Sequence, residues 1–319
     1  FVERPWGGTR LRELKSLCPL PDQVEVTGSG LGESFELAAF DDDPEAAAHP
    51  SRIIGPDGDV GLLPQLIRDH AEELLGEQWV ANYGRCIPLL PKFLNVRELL
   101  SVQGHPSGHT EAYVVVDAEP GASIRLGFRR DIDPGPFGAA LEAGLAEQQE
   151  LAAMLGDATD WFAVQRLLSQ WFAQRDIDAQ QPASEFREIS ASLKPDTVFA
   201  KVLRLLDSLK RRYWFVLDSM NEIELTPGQV IHNSNPQRIV DALGRVPAAE
   251  VHALGNPERR EFVMLEIRRP GPTFRAWDNV RVPMREIDIS TALNVLNLQA
   301  TEPEEFICTR SELTGPGHT

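Results

Sequence analysis

The chain has 319 residues, 42% of them hydrophobic and 25% charged, a composition typical of globular proteins with a large core. A formal charge of −17 at pH 7 repels nucleic acid, and the basic clusters are too short and too far apart to form an opposing patch. The three cysteines lie far apart and form no CxxC pair, so they suggest neither a disulfide framework nor a thiolate zinc site, and they favour a reducing compartment. No apolar run reaches the ~18 residues of a membrane helix, so we expect a cytoplasmic protein with no membrane partner.

The first part of the chain alternates turns with short predicted strands. Residues 33–38 alternate polar and apolar side chains, as a half-buried strand does. Residues 62–77 carry apolar side chains at helical spacing. Two runs rich in β-branched residues follow at 87–103 and 111–128, and in the second Pro120-Gly121 predicts a tight turn between two strands.

From about residue 134 to 210 the pattern changes to Ala, Leu, Glu and Gln at helical period. The predicted helical runs are 139–155, 161–175 and 197–209. Short strands then return at 213–217, 222–225, 229–232, 239–240 and 262–268, before a loop-rich tail over 285–319. Strands on both sides of a helical block predict one β-barrel or sandwich that a helical insertion interrupts.

A candidate metal site lies where the two β-rich runs meet. Gln103 and His105 are two residues apart, so on a strand both side chains point to the same face. A turn follows, and Glu111 begins the next strand, from which it can return to that face. Polar surface residues near a turn have the same composition, but the flanking apolar strands favour a site in a barrel wall. An amide, an imidazole and a carboxylate suit Zn²⁺ and also Mn²⁺, Fe²⁺ or Co²⁺.

These segments resemble, in the same order along the chain, the motifs of the type I (cupin, zinc-dependent) mannose-6-phosphate isomerase family. The matching segments are Trp-Gly-Gly at 6–8, Gly-Glu-Ser-Phe-Glu at 32–36, the stretch 89–94, Gln-x-His-Pro at 103–106, His252-Ala after Val246-Pro-Ala-Ala, and a closing Glu266 and Arg275. The helical stretch also falls where that family carries a helical insert.

The resemblance implies a mainly β fold, a cupin (jelly-roll) barrel with a helical insertion and a second, partial cupin-like half. It divides the chain into residues 1–130 with the metal motif, an insertion over 131–212, and completion of the core over 213–319. It also implies a monomer or homodimer that acts on a small sugar phosphate.

The resemblance assigns roles to nine residues. It implies Gln103, His105, Glu111 and His252 as ligands of one divalent ion, Zn²⁺ being favoured; Glu266 and Arg275 as catalytic groups; and Ser101 and Lys92 as substrate-binding groups. His109, at the position of a family lysine, is assigned as a third substrate-binding group. The implied reaction interconverts mannose 6-phosphate and fructose 6-phosphate through a cis-enediol. Glu266 alternatively faces solvent, and Arg275 alternatively forms a structural cation–π contact or salt bridge.

The sequence also departs from the family pattern. His109 stands where the family has a lysine, two residues before the ligand glutamate, and is either a hydrogen-bond donor or an alternative ligand. The loop between His105 and Glu111 is short, and the segment before His252 differs, with Glu250 in place of a small residue and His232 read as a surface residue. A metal-dependent cupin isomerase or epimerase of a different sugar, or a non-catalytic sugar-binding cupin, therefore stays open.

Overall fold

The computed structural model describes residues 1–16, 30–40, 44–56, 58–106, 109, 111–156, 161–173, 185, 187–188, 195–233, 250–269, 271–278 and 284–308. The predicted strand at 239–240 and the Val-Pro-Ala-Ala segment at 246–249 lie outside these residues. None of the helices in the described part combines the length and the apolar character that a membrane span requires.

Strands and helices alternate in the first half of the chain and again near its end. The strands are β1 Val2–Gly8, β2 Leu31–Phe35, β3 Arg52–Gly55, β4 Gly58–Leu62, β5 Leu90–Val96, β6 Val102–Gly104, β7 Glu111–Ala118, β8 Ser123–Phe128, β9 Met220–Glu224, β10 Val230–His232, β11 His252–Ala253, β12 Phe262–Arg268 and β13 Phe274–Trp277. The helices are α1 Arg10–Ser16, α2 Pro44–Ala48, α3 Leu63–Asp69, α4 Ala71–Leu75, α5 Glu77–Tyr83, α6 Pro134–Met154, α7 Trp161–Ala173, α8 Asp196–Leu217 and α9 Ile289–Val295.

Two antiparallel sheets form the body of the protein. One has six strands in the order β1-β2-β5-β12-β7-β10, the other five in the order β13-β6-β11-β8-β9. Their inner faces share one apolar core, to which the first sheet contributes Leu94 and Met264 and the second contributes Ile124 and Leu126. The predicted mainly β fold, with a helical block inserted between strands of the same core, is confirmed.

The inner face of the six-stranded sheet is apolar at one end and polar at the other. Along β12, Phe262 and Met264 join the shared core, and the next two residues of the same face are Glu266 and Arg268. The antiparallel register places Glu266 between Lys92 of β5 and Tyr113 of β7, and Arg268 opposite Glu111. The polar side chains of three strands therefore collect at one end of the interior, which is where a site can form.

The inserted helices cover the other face of the five-stranded sheet. A second apolar core joins α6, α7 and α8 to sheet residues such as Val102, Ala253 and Trp277. Among the helical residues of this core are Leu141, Leu168 and Leu206. The sheet that carries Gln103 and His252 is thus supported from behind by the insertion.

The predicted strand at 213–217 is wrong, because these residues form the last turns of α8, which continues to Leu217. Aromatic and β-branched residues favour strands in isolation, but here tertiary packing decides. Tyr213 stacks on Phe172 of α7, and the indole of Trp214 donates a hydrogen bond of 2.9 Å to the Phe172 carbonyl.

Two other segments differ from the prediction: one predicted helix is interrupted, and one predicted loop contains a helix. The predicted helix at 62–77 is three short helices, interrupted at His70 and Gly76. Gly76 has a positive φ of 88°, which a helix interior does not allow. The tail predicted as loop contains α9 and a 3₁₀ turn at Pro303–Phe306. The division of the chain at residues 130 and 212 stays a prediction.

Candidate metal centre

Three buried side chains meet at the polar end of the interior. Potential ligand atoms of His105, Glu111 and His252 all lie within 4.8 Å of one another. Nε2 of His105 is 2.9 Å from Oε1 of Glu111, and Nε2 of His252 is 3.3 Å from Oε2. The carboxylate therefore lies between two imidazoles, each facing a different oxygen.

Strand pairing brings these residues together from both sides of the helical insertion. Glu111 begins β7, and His105 follows β6 directly. His252 of β11 pairs in register with Gln103 of β6, so the two side chains lie on the same face of the five-stranded sheet. Three of the four predicted ligands thus form the group, and the fourth, Gln103, touches it.

Hydrogen bonds to the backbone fix which nitrogen of each imidazole faces the group. Nδ1 of His105 lies 3.2 Å from the carbonyl oxygen of Pro272, and Nδ1 of His252 lies 3.2 Å from the carbonyl of Glu250. A carbonyl only accepts, so both Nδ1 atoms carry hydrogen and each Nε2 of a neutral ring directs a lone pair at Glu111. Lone pairs facing carboxylate oxygens require a proton or a cation between them, and this donor set fits a divalent metal ion.

The ionisation of the three groups reflects burial opposed by mutual attraction. Burial lowers the pKa of His252 to about 4, although the Glu111 charge acts against it. Burial also works to lower the pKa of His105, but the charge and hydrogen bond of Glu111 outweigh it and the pKa is raised. For Glu111, burial works to raise the pKa, and the two histidines with Arg268 hold it well below its ordinary value. The attraction between His105 and Glu111 thus favours a proton between them in the metal-free group, at a position that a metal ion could take.

Glu111 is held in place by two residues that the sequence reasoning missed. Tyr113 donates a hydrogen bond from its hydroxyl to Oε2 of Glu111. The amide of Asn233 donates to the same oxygen over 3.2 Å, and its Oδ1 accepts the Glu111 backbone N–H over 2.8 Å. Burial and the neighbouring Glu111 charge raise the pKa of Tyr113 well above its ordinary value, so the hydroxyl stays a donor.

Gln103 contacts the group through its amide nitrogen. Nε2 of Gln103 is 3.2 Å from Nε2 of His252, and Oε1 accepts a hydrogen bond of 2.8 Å from Ser101. Ser101, predicted to bind substrate, therefore orients a predicted ligand. Rotation of the amide by half a turn would present its oxygen to the group.

A second polar array lies next to the group on the six-stranded sheet. Nζ of Lys92 is 3.2 Å from Glu33 and 3.4 Å from Oε1 of Glu266. Nε of Arg268 is 3.4 Å from the same Oε1, and Arg4 closes the array with a 2.7 Å hydrogen bond to Glu33. Glu266 is therefore buried among cations, and the alternative that it faces solvent is wrong.

The other predicted site residues lie around the group. β6 lies between β13 and β11, and Arg275 of β13 pairs with Gln103 of β6. The side chain of Arg275 therefore projects from the same sheet face as Gln103 and His252. His109 is not a member of the His–Glu–His group among the described residues. Its ring packs against Gly271, where an added Cβ would overlap it. His232 pairs with Ala112 at the edge strand β10 and also lies outside that group.

The strand pattern of the sequence could have identified Tyr113 and Arg268 as site residues. Each is two residues from a predicted site residue on a strand, Tyr113 from Glu111 and Arg268 from Glu266, so each points to the same face. Asn233 and the Pro272 carbonyl gave no such signal, because loops place them.

Two facing antiparallel sheets around a buried imidazole–carboxylate–imidazole group give a mainly β, cupin-like fold with a candidate metal centre. Comparison with known proteins confirms the resemblance to mannose-6-phosphate isomerases. The chain is 29% identical over 162 residues to the probable mannose-6-phosphate isomerase GmuF of Bacillus subtilis, a match covering 44% of this chain and 45% of that protein. The match thus spans less than half the length of this curated relative. No family model matches the chain.

Solved structures show the same fold. A "putative mannosephosphate isomerase" from Archaeoglobus fulgidus superposes with a TM-score of 0.51 at 17% identity, covering 97% of this chain and 69% of that one. A variant of phosphomannose isomerase from Salmonella typhimurium gives a TM-score of 0.50 at 14% identity, with 97% and 76% covered.

Proposed function

We propose that the protein is a metal-dependent aldose–ketose isomerase that interconverts mannose 6-phosphate and fructose 6-phosphate. One observation carries the proposal: the His105–Glu111–His252 group and the Lys92–Glu266–Arg268 array lie side by side in one barrel interior. The first suits a metal ion, and the second offers a carboxylate for proton transfer. The similarity to the Bacillus subtilis relative supports this choice of reaction.

His105, Glu111 and His252 would hold the ion, with Gln103 as a fourth ligand. Zn²⁺ suits two imidazoles, a carboxylate and an amide oxygen, and it would polarise the sugar oxygens without changing oxidation state. The carbonyls of Pro272 and Glu250 keep each Nε2 directed at the centre, and such outer contacts hold ligands in the tautomer that binds metal.

The protein's own groups would move the proton. Conversion of the aldose to the ketose takes a proton from C2 and returns one to C1, through a cis-enediol, so it requires a carboxylate that can accept and release it. We assign this task to Glu266. Arg275, which flanks Gln103, would offset the negative charge that develops on the sugar oxygens.

A coupled assay for fructose 6-phosphate tests the proposal. Zinc-loaded protein is expected to convert mannose 6-phosphate, and Glu266→Gln is expected to lose activity by about 100-fold or more with its zinc content unchanged. His252→Gln is expected to lose zinc and activity together. Absence of turnover by fully zinc-loaded wild-type protein on any hexose phosphate would remove the proposed function.

His109 supports a second candidate, an isomerase or epimerase of a different sugar. This half-buried ring packs against Gly271 where the resembled family has a lysine, so the group that meets the substrate phosphate differs. Incubating free and phosphorylated aldoses in D₂O and recording deuterium uptake at C2 by NMR separates the candidates. Uptake by hexose 6-phosphates alone rejects the second candidate, and zinc binding without any uptake indicates a non-catalytic cupin. A cytoplasmic location and a monomeric or dimeric state stay predictions.

A further inference from the structure

Arg268 lies between the two parts of the site. It is the cross-strand neighbour of Glu111, so its side chain starts beside a predicted metal ligand. Its Nε lies 3.4 Å from Oε1 of Glu266, the oxygen that Lys92 approaches to the same distance from the neighbouring strand. Two cations therefore converge on one carboxylate oxygen.

Burial makes this arrangement costly, because only 6% of Arg268 is exposed and a buried charge needs a compensating partner. In the metal-free centre the Glu111 carboxylate attracts the guanidinium, but a bound divalent ion would offset that attraction. The charge of Arg268 would therefore oppose metal binding and does not explain why the residue is buried here. Glu266 has the opposite charge and lies within ion-pair distance.

We propose that Arg268 is a positioning residue for Glu266. With Lys92 it holds Oε1 of Glu266 from two sides and so sets the direction of the carboxylate relative to the metal centre. The Lys92 ammonium is a point charge with no preferred plane, so its contact does not define the plane of the carboxylate. The planar guanidinium of Arg268 adds a contact with a fixed direction.

This inference rests on the proposed function, in which Glu266 moves the proton. The test compares wild-type protein with Arg268→Met and Arg268→Lys, all loaded with zinc. Arg268→Met is expected to lower kcat by about 10- to 100-fold with little change in KM, since misplacing a reacting group affects turnover more than substrate binding. Arg268→Lys, which keeps the charge, is expected to recover part of the loss.

Zinc affinity, measured by competition with a chromophoric chelator, separates positioning from structural support. Arg268→Met is expected to bind zinc as tightly as wild type or more tightly. If it binds zinc about 10-fold more weakly, Arg268 supports the metal ligands and the inference is overturned. Unchanged kcat in Arg268→Met overturns it as well.

Arg125→Met is the matched control. Arg125 is equally buried, with 7% exposed, and forms an ion pair of 3.0 Å with Glu222 on the five-stranded sheet. Its neighbour Leu126 belongs to the shared inner core, so Arg125 points to the opposite face. This variant reports the cost of losing a buried arginine and its ion pair away from the site, and its kcat is expected to stay near that of wild type.

A crystal structure of Arg268→Met decides the inference without any activity. The Glu266 carboxylate is expected to turn from its wild-type orientation while His105, Glu111 and His252 keep theirs. An unchanged Glu266 carboxylate rejects the inference. If wild-type protein turns over no sugar, the proposed function fails, and this structure with the zinc affinity still decides whether Arg268 positions Glu266.

Discussion

The hydroxyl of Tyr113 donates a hydrogen bond to Oε2 of Glu111, the same oxygen that lies 3.3 Å from Nε2 of His252. Tyr113 is fully buried, and the strand places it two residues from Glu111 on the same face. The bond therefore limits the rotation of the carboxylate that both imidazoles face. A metal ion that binds this group meets a carboxylate already oriented.

Replacing Tyr113 with Phe tests this orientation. The ring still fills its place in the core, and the only group lost is the donor to Glu111. We expect zinc affinity to fall about 10-fold, the lower end of the effect of outer hydrogen bonds on metal ligands. Chelator competition measures it. Tyr213→Phe is the control, because Tyr213 is also buried but lies among the inserted helices. Equal affinity of Tyr113→Phe and wild type would show that Asn233 alone orients Glu111.

Zinc binding should release protons in a number set by the two histidines. Burial holds the pKa of His252 near 4, so this ring is already neutral at pH 7. The pKa of His105 is raised above 6.5, because the attraction of Glu111 outweighs burial, so this ring still holds a proton just above pH 6.5. Each zinc ion should therefore displace about one proton in that range, and apparent affinity should rise with pH. Calorimetry in buffers of different ionisation enthalpy counts the protons. Release of two per zinc would contradict the assignment of His252 as neutral.

The same pKa values predict how the metal-free protein responds to acid. His252 has a pKa of about 4 when folded and an ordinary value of 6.5, so its contribution to stability is present above pH 6.5 and lost as the pH falls towards 4. His105 has the opposite sign, since its contribution is full below 6.5 and is lost as the pH rises through its raised pKa. Glu111, whose pKa lies well below 4.5, loses its contribution only in stronger acid.

Of these three residues, His252 should thus dominate the change in stability between pH 6.5 and 4.5. Stability is expected to fall by at most about 1.4 kcal/mol per pH unit from this residue. Urea unfolding of metal-free wild type and His252→Gln measures the difference, which should shrink as the pH falls. His70→Gln, at an exposed helix junction, is the control and should follow wild type. Parallel curves for wild type and His252→Gln would contradict the prediction.

Local patterns predicted some strands and turns closely. The bounds 262–268 match β12 without correction, and the turn at Pro120-Gly121 separates β7 from β8, with Gly121 at φ 79°. The order of motifs also anticipated that His252 would meet His105 across the helical insertion. That juxtaposition depends on the pairing of β11 with β6, which the structure shows at His252 and Gln103.

Long-range register was beyond the reach of the sequence. Nothing local states that Arg268 lies opposite Glu111, because two strands about 150 residues apart in sequence choose their register through the packing of the whole sheet. The strand predicted at 213–217 failed for a related reason. Its aromatic residues find their partners on α7, and helix packing outweighs their preference for strands.

The helical insertion also reaches the site, through Trp277. A register shift between Arg275 and Trp277 in β13 makes Trp277 pair with Val102, so it faces the helices although it lies only two positions after Arg275. Trp277 packs against Gly144 of α6, where an added Cβ would overlap the indole ring. On the same helix, Gln148 donates a hydrogen bond of 2.6 Å to the carbonyl of Asp278, the residue that follows Trp277. The strand that carries Arg275 therefore contacts α6 at two adjacent residues, Trp277 and Asp278.

Gly144→Ala should disturb the packing of β13 on α6. We expect a destabilisation of about 1–3 kcal/mol from overpacking, together with a lower kcat in the proposed isomerase reaction, because displacement of β13 moves Arg275. Zinc stoichiometry should stay that of wild type, since His105, Glu111 and His252 lie on other segments. Thermal melting, metal analysis and the fructose 6-phosphate assay measure the three quantities. Gly135→Ala in the same helix is the control, because Gly135 is exposed and an added Cβ there makes only a 3.4 Å contact with Asp133. If Gly144→Ala lowers the melting temperature and leaves kcat unchanged, the packing of β13 on α6 stabilises the fold without setting the position of Arg275.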